Sequence, residues 1–94
     1  MDSPQHFIIN NFDGTQLQFT VKQIYIYIYS HLYRHENMNN NNVLYKYICN
    51  KYSISNLTYD RQLFDIFKRD YNTTNIHELL NDLILTYPGK CYYQ

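Results

Sequence analysis

The chain has no tryptophan and no alanine, only two glycines, two prolines and two cysteines, and no net charge. Each shortage excludes something. Eight basic against eight acidic side chains remove the long-range attraction that supplies most non-specific affinity for DNA, RNA or an anionic membrane. Two cysteines, Cys49 and Cys91, are too few for a disulfide scaffold, and in an intracellular protein they are expected as free thiols. No apolar run reaches the ~18 residues of a membrane span, and Met1-Asp2-Ser3-Pro4-Gln5 has neither the basic segment nor the apolar core of a secretory leader. The expectation is an intracellular protein, of cytoplasm or nucleus, with no membrane partner. There is also no Gly-rich phosphate loop and no serine in a nucleophile elbow. The carboxylates Asp60, Asp65, Asp70, Glu78 and Asp82 lie among basic residues on expected helices and read as solvated faces. Neither an enzyme nor a cofactor is expected.

What is abundant is tyrosine, with twelve copies, together with asparagine and isoleucine. That usage follows codon bias in a genome poor in G and C, such as that of a virus or parasite, before it follows any function. The 94 residues make one domain, 1–94, able to bury somewhat over ~60% of its unfolded surface.

The sharpest local signal is a hairpin running into a helix. Asp13-Gly14 matches a two-residue type I′ turn, whose central residues both need positive φ. In that register Phe12 faces Thr15, Asn10 faces Leu17 and Ile8 faces Phe19. Ile8, Phe12, Leu17, Phe19 and Val21 then share the apolar face, while Asn11, Gln16, Gln18 and Thr20 share the polar one. Asn10 falls on the wrong side, and Phe7 and Ile9 fall on the polar one. The following Ile24-Tyr25-Ile26-Tyr27-Ile28-Tyr29 alternates like a strand. A helix over 21–35 fits better, because Thr20 and Gln23 form a capping box with Phe19 and Ile24 as a hydrophobic staple, and Val21, Ile24, Ile28 and Leu32 recur at helical spacing, widened by Tyr25 and Tyr29.

Beyond it, 36–42 with four consecutive asparagines reads as a polar loop or a short disordered segment, without core contacts. Asn42 caps a helix over 43–52 that buries Leu44, Tyr47 and Ile48. A third helix starts near Thr58 as N-cap with Asp60 in its first turn, and buries Tyr59, Leu63, Ile66 and Phe67. Asn75 with Glu78 suggests another cap, opening a helix that turns Leu79, Leu80, Leu83 and Ile84 inward and stops at Pro88-Gly89. Cys91, Tyr92 and Tyr93 add a terminal strand. The class is α+β, a hairpin packed against about four short helices.

His31 and His35 stand four apart beside Glu36, a spacing that suits zinc, but a third ligand is missing and no metal site is expected. The segment from Ile48 to Leu63 resembles a helix-turn-helix, with Ser53 where glycine is usual and Ile54 as the buried residue after it. Its second helix sets Arg61, Lys68 and Arg69 against Asp60, Asp65 and Asp70 and offers phosphates no net attraction. DNA binding is therefore the alternative reading, and electroneutrality argues against nucleic acid as the partner.

A second resemblance spans most of the chain. Residues from Phe7 to Val21 look like the opening hairpin of the BTB/POZ fold in its elongin C form. Val43-Leu44-Tyr45-Lys46-Tyr47-Ile48 is similar to that family's Val-Leu-x-Lys-Val helix, and His77-Glu78-Leu79-Leu80-Asn81-Asp82-Leu83-Ile84-Leu85 to its Leu-Glu-Leu-Leu helix. The chain departs where an Asn-rich loop replaces the third strand and where Asn81 and Asp82 replace small residues. The resemblance implies a non-enzymatic adaptor that joins a cullin scaffold to a substrate receptor, or self-associates, through the helix from Ile76 to Tyr87 and the segment after it.

Leu79, Leu80, Leu83, Ile84 and Leu85 cover more of a helix than one ~100° stripe. Leu80, Leu83, Leu85, Tyr87, Tyr92 and Tyr93 are therefore the candidate partner-binding residues of a small protein-interaction module, binding a protein partner or a second copy.

Overall fold

A computed structural model describes residues 5–34, 36–55 and 61–94. Two strands, β1 (His6–Asn10) and β2 (Gln16–Thr20), lead into helix α1 (Val21–Arg34). Helices α2 (Val43–Lys51), α3 (Arg61–Asp70) and α4 (Ile76–Thr86) follow, and strand β3 (Cys91–Tyr93) ends the order. The sheet is antiparallel, with β1 between β2 and β3. The α+β class expected from the sequence is the observed one.

The hairpin register differs by one residue from the expected one: Phe7 pairs with Phe19, Ile9 with Leu17 and Asn10 with Gln16. The cause is the loop. Asn11 N–H donates to the Thr15 carbonyl at 2.8 Å and Gly14 N–H to the Asn11 carbonyl at 3.1 Å, so the connection has three residues, with Gly14 alone at positive φ (87°). This is the turn-plus-bulge form of hairpin rather than the two-residue one. A slip of one residue exchanges the faces of β1. Phe7 and Ile9 enter the core with Leu17 and Phe19 against it, Ile8 is buried outside the core cluster, and Phe12 is carried out to the tip.

Asn11, expected on the polar face, is also buried. Its side chain donates to the Thr15 hydroxyl at 3.1 Å and accepts from Val43 N–H at 3.1 Å. The hairpin is thereby tied to the first turn of α2.

The capping box forms as expected. Gln23 N–H donates to the Thr20 hydroxyl at 3.3 Å, and Thr20 N–H to the Gln23 side chain at 2.9 Å. Ile24, Ile28 and Leu32 are buried, so tertiary packing of a helical stripe overrides the alternating strand propensity of 24–29.

Residues 36–42 correct the expectation of a loop without core contacts. Met38 is buried in the core, and Asn42 is buried with both ends of its amide in use. The Asn42 amide donates to the Tyr27 hydroxyl at 3.1 Å and accepts from Leu44 N–H at 2.8 Å, capping α2. Asn39 donates to Asp13, and Phe12 N–H donates to the Asn41 carbonyl at 3.0 Å.

Helix α2 ends on Ser53, whose φ of 54° is the left-handed conformation that glycine usually supplies. Ile54 N–H reaches the Cys49 carbonyl at 3.0 Å and Ser53 N–H the Asn50 carbonyl at 3.4 Å, the paired bonds of a Schellman cap. The expected start of the third helix, Tyr59 included, lies outside the described residues. Within α3, Phe64 is buried with Leu63 and Phe67, while Ile66 is only half-buried.

The expected cap of α4 does not form. The Asn75 side chain instead accepts from Asn72 N–H at 2.7 Å and donates to the Asp70 carbonyl at 2.8 Å, closing the α3–α4 connection. Ile76, Leu79, Leu80 and Leu83 are buried on α4, and Ile84 is half-buried.

Candidate functional site

The six candidate partner-binding residues separate into two groups. Leu80 and Leu83 lie within the protein's own core and offer a partner nothing, a correction that follows from the buried stripe of α4. Leu85, two positions and about 200° beyond Leu83, is 79% exposed. Tyr92 is exposed on β3, directly across from Ile8. Tyr93 is half-buried with its ring edge-on to Phe7 at 5.0 Å, and Tyr87 is half-buried beside Phe12 at 5.8 Å.

That last contact belongs to a surface which sequence reasoning missed. Three segments far apart in the chain converge there: the β1–β2 loop with Phe12, the outer side of α2 with Lys46 and Asn50, and the α4–β3 connection with Tyr87 and Lys90. The Lys46 and Lys90 ammonium groups lie 5.8 and 5.4 Å from the centre of the Phe12 ring, within cation–π range. Asn50 donates to the Tyr87 hydroxyl at 3.2 Å. The backbone beneath is held, since Asn10 N–H donates to the Lys90 carbonyl at 2.8 Å and Lys90 N–H to that of Tyr87 at 3.1 Å. The register and the loop at 36–42 place Phe12 here, and neither was legible as such.

Asn50 also borders a pocket of about 190 Å³ lined by Tyr47, Lys51, Asp82 and Thr86. The Tyr47 hydroxyl donates to the Asp82 carboxylate, and Lys51 lies 3.7 Å from the same carboxylate. Burial first, and then the hydrogen bond to Asp82, hold the Tyr47 phenol far above its ordinary range. Lys51 is raised as well, with Tyr71 the largest cause and Asp82 adding to it. Acid, phenol and amine thus face one another along the wall of this pocket.

Other candidates resolve plainly. His31 faces Glu36, its Nδ1 3.4 Å from the Glu36 carbonyl and 3.8 Å from the carboxylate, while His35 lies outside the described residues. No group of three metal-ligating side chains occurs among the described residues. Cys49 and Cys91 are free and buried, and burial pushes the Cys91 thiol up to about 12. In the helix-turn-helix candidate Ser53 has the turn geometry, but α3 packs on α1 and α2 on α4. Arg69 is paired with Asp70 at 2.9 Å, and Lys68 lies over the Phe64 ring. No described helix is long and apolar enough to cross a membrane. Compared with protein-family models, with curated proteins and with solved structures, the chain matches none.

Proposed function

We propose that this protein is a small non-catalytic protein-interaction module. The observation that carries the proposal is Leu85, which stands 79% exposed on a helix whose leucines at 79, 80 and 83 are buried. Phe12 and Tyr92 are further large apolar side chains left in water, and such side chains are the material of interaction hot spots. Of the surface first inferred, Leu85, Tyr87, Tyr92 and Tyr93 remain available. An intracellular setting belongs to the same proposal.

A BTB/POZ-like adaptor is its finer form. It rests on the hairpin-to-helix opening, on the similarity of 43–48 and 77–85 to that family's helices, and on the exposure of Leu85 within the second of these. The test is to replace Leu85 with Glu, then Tyr92 and Tyr93 with Ser, and compare sedimentation and captured partners with those of the parent. Binding of a cullin scaffold, lost in the Leu85 variant, is the expected result for the adaptor form. A parent that is strictly monomeric at high concentration and captures no partner would falsify the module reading. Salt-sensitive retention on a DNA column would favour the DNA-binding alternative instead.

A further inference from the structure

Phe12 is 41% exposed at the tip of a hairpin, yet its backbone is fixed by a hydrogen bond to Asn41. Neither Lys46 nor Lys90, the two cations over its ring, pairs with a carboxylate among the described residues. The nearest acid along the chain, Asp13, accepts from Thr15 and from Asn39 and is held below its ordinary pKa by those bonds. Both of its oxygens are engaged by these bonds. The result is an apolar platform, Phe12 beside Tyr87, flanked by two ammonium groups without a carboxylate partner among the described residues, on a chain with no net charge.

We propose that this surface docks an acidic segment of a partner protein, with an apolar side chain of the segment on the Phe12 and Tyr87 rings and its carboxylates on Lys46 and Lys90. The inference rests on the interaction-module reading and gives it a partner chemistry. Charge complementarity selects the occupant. A second copy related by a two-fold axis would bring an identical lysine pair against this one. Nucleic acid would gain only a local contact, because electroneutrality denies it the long-range field that drives phosphate binding. Fixed loops reduce the ordering cost of docking, and Asn50 at the rim offers a hydrogen bond.

The experiment is fluorescence anisotropy of the whole chain with short fluorescein-labelled Glu-Leu-Glu peptides, using Gln-Leu-Gln peptides and single-stranded DNA as competitors. Saturable binding of the acidic peptide is expected. It should weaken about tenfold or more in the Lys46→Gln, Lys90→Gln double variant, persist in the Lys46→Arg, Lys90→Arg variant, and fade in salt above ~0.5 M. Phe12→Ser should weaken it with little change in melting temperature, since the ring is at the tip. The proposal is overturned if the acidic peptide fails to bind, if it binds no better than the Gln peptide, if the double Gln variant binds unchanged, or if DNA displaces it and binds more tightly. Leu85-dependent association that survives such a failure would leave the module reading standing, so the two fail separately.

Discussion

Two sets of aromatic rings in this molecule are built from tyrosine and phenylalanine alike and are placed differently. Along the seam between α1 and α3, Tyr25, Tyr29 and Tyr33 stack at intervals of one helical turn, with centroids 5.8 and 5.7 Å apart. They meet Phe64 and Phe67 across the interface, Tyr29 at 5.2 Å and Tyr25 at 5.6 Å. At the other set, Phe12 and Tyr87 touch each other and two lysines but close over nothing. The difference is geometric. Helical residues four apart stack on one face, and a second helix covers part of that face. Phe64 and Phe67 are buried and Tyr25 and Tyr29 half-buried, while Tyr33 at the end of the row is 57% exposed. A ring on a hairpin tip has no second layer. A count of tyrosines and phenylalanines distinguishes neither case, and position in the fold decides which rings build a core and which remain for a partner.

The largest expected effect tests that contrast directly. Phe67→Ala should cost about 3–5 kcal/mol, because it removes a ring 1% exposed from the seam and leaves a cavity against Tyr25 and Tyr71. Phe12→Ala should cost about 1 kcal/mol or less. Denaturant unfolding of both variants checks the pair, and similar losses would remove the distinction between core rings and surface rings.

Next is Asn42→Ala, expected to cost about 1–3 kcal/mol. It removes the cap of α2 and leaves the Tyr27 hydroxyl without the amide that bonds it. Deleting asparagines at 39–42 should be harmful for the same reason, contrary to what a plain polar loop allows, and the size of the loss in urea midpoint reports how far the loop fixes Phe12. Thr20→Ala should cost about 1 kcal/mol through the capping box. It should act on α1 without disturbing the Phe12 surface, so peptide binding measured alongside stability separates the two regions.

These effects also mark how much of the molecule was legible in its sequence. The capping box, the stripe of α1, the cap of α2 and the terminal strand were, because each is a local pattern whose partners lie within a few residues. The register was half legible. Asn10 opposite Leu17, with Phe7 and Ile9 on the polar face, was the sign that a two-residue turn was one residue too short. The roles of Asn11 and Met38 and the bond from Asn42 to Tyr27 were not legible, since they depend on residues in other elements. The Phe12 surface depends on the register and on that loop together, so it inherited both misreadings. On α4 the excess of leucine was legible, and Leu85 proved to be the residue left outside the core, while Leu80 and Leu83 show that a surplus of apolar residues does not say which ones are surplus.

The smallest expected effect concerns the tip itself. Hydrogen bonds from the Thr15 hydroxyl and backbone, with a lesser one from Asn39, hold the Asp13 carboxyl below its ordinary 3.8. A carboxyl whose pKa is lower in the folded state binds protons more weakly there than in the unfolded chain. Its stabilising contribution is therefore complete above the ordinary value and is lost as pH falls through the lowered one. Asp13 is exposed, so the effect on global stability is slight, and the sensitive observable is the carboxyl chemical shift followed by NMR from pH ~6 downward. The midpoint should lie below that of an unperturbed aspartate, rise in Thr15→Val, which keeps the backbone bond, and rise less in Asn39→Ala. An ordinary midpoint in the parent would mean that the Asp13–Thr15 bonds do not persist in solution. The comparison between a fixed, cationic tip and a helix–helix seam would then lose its first term.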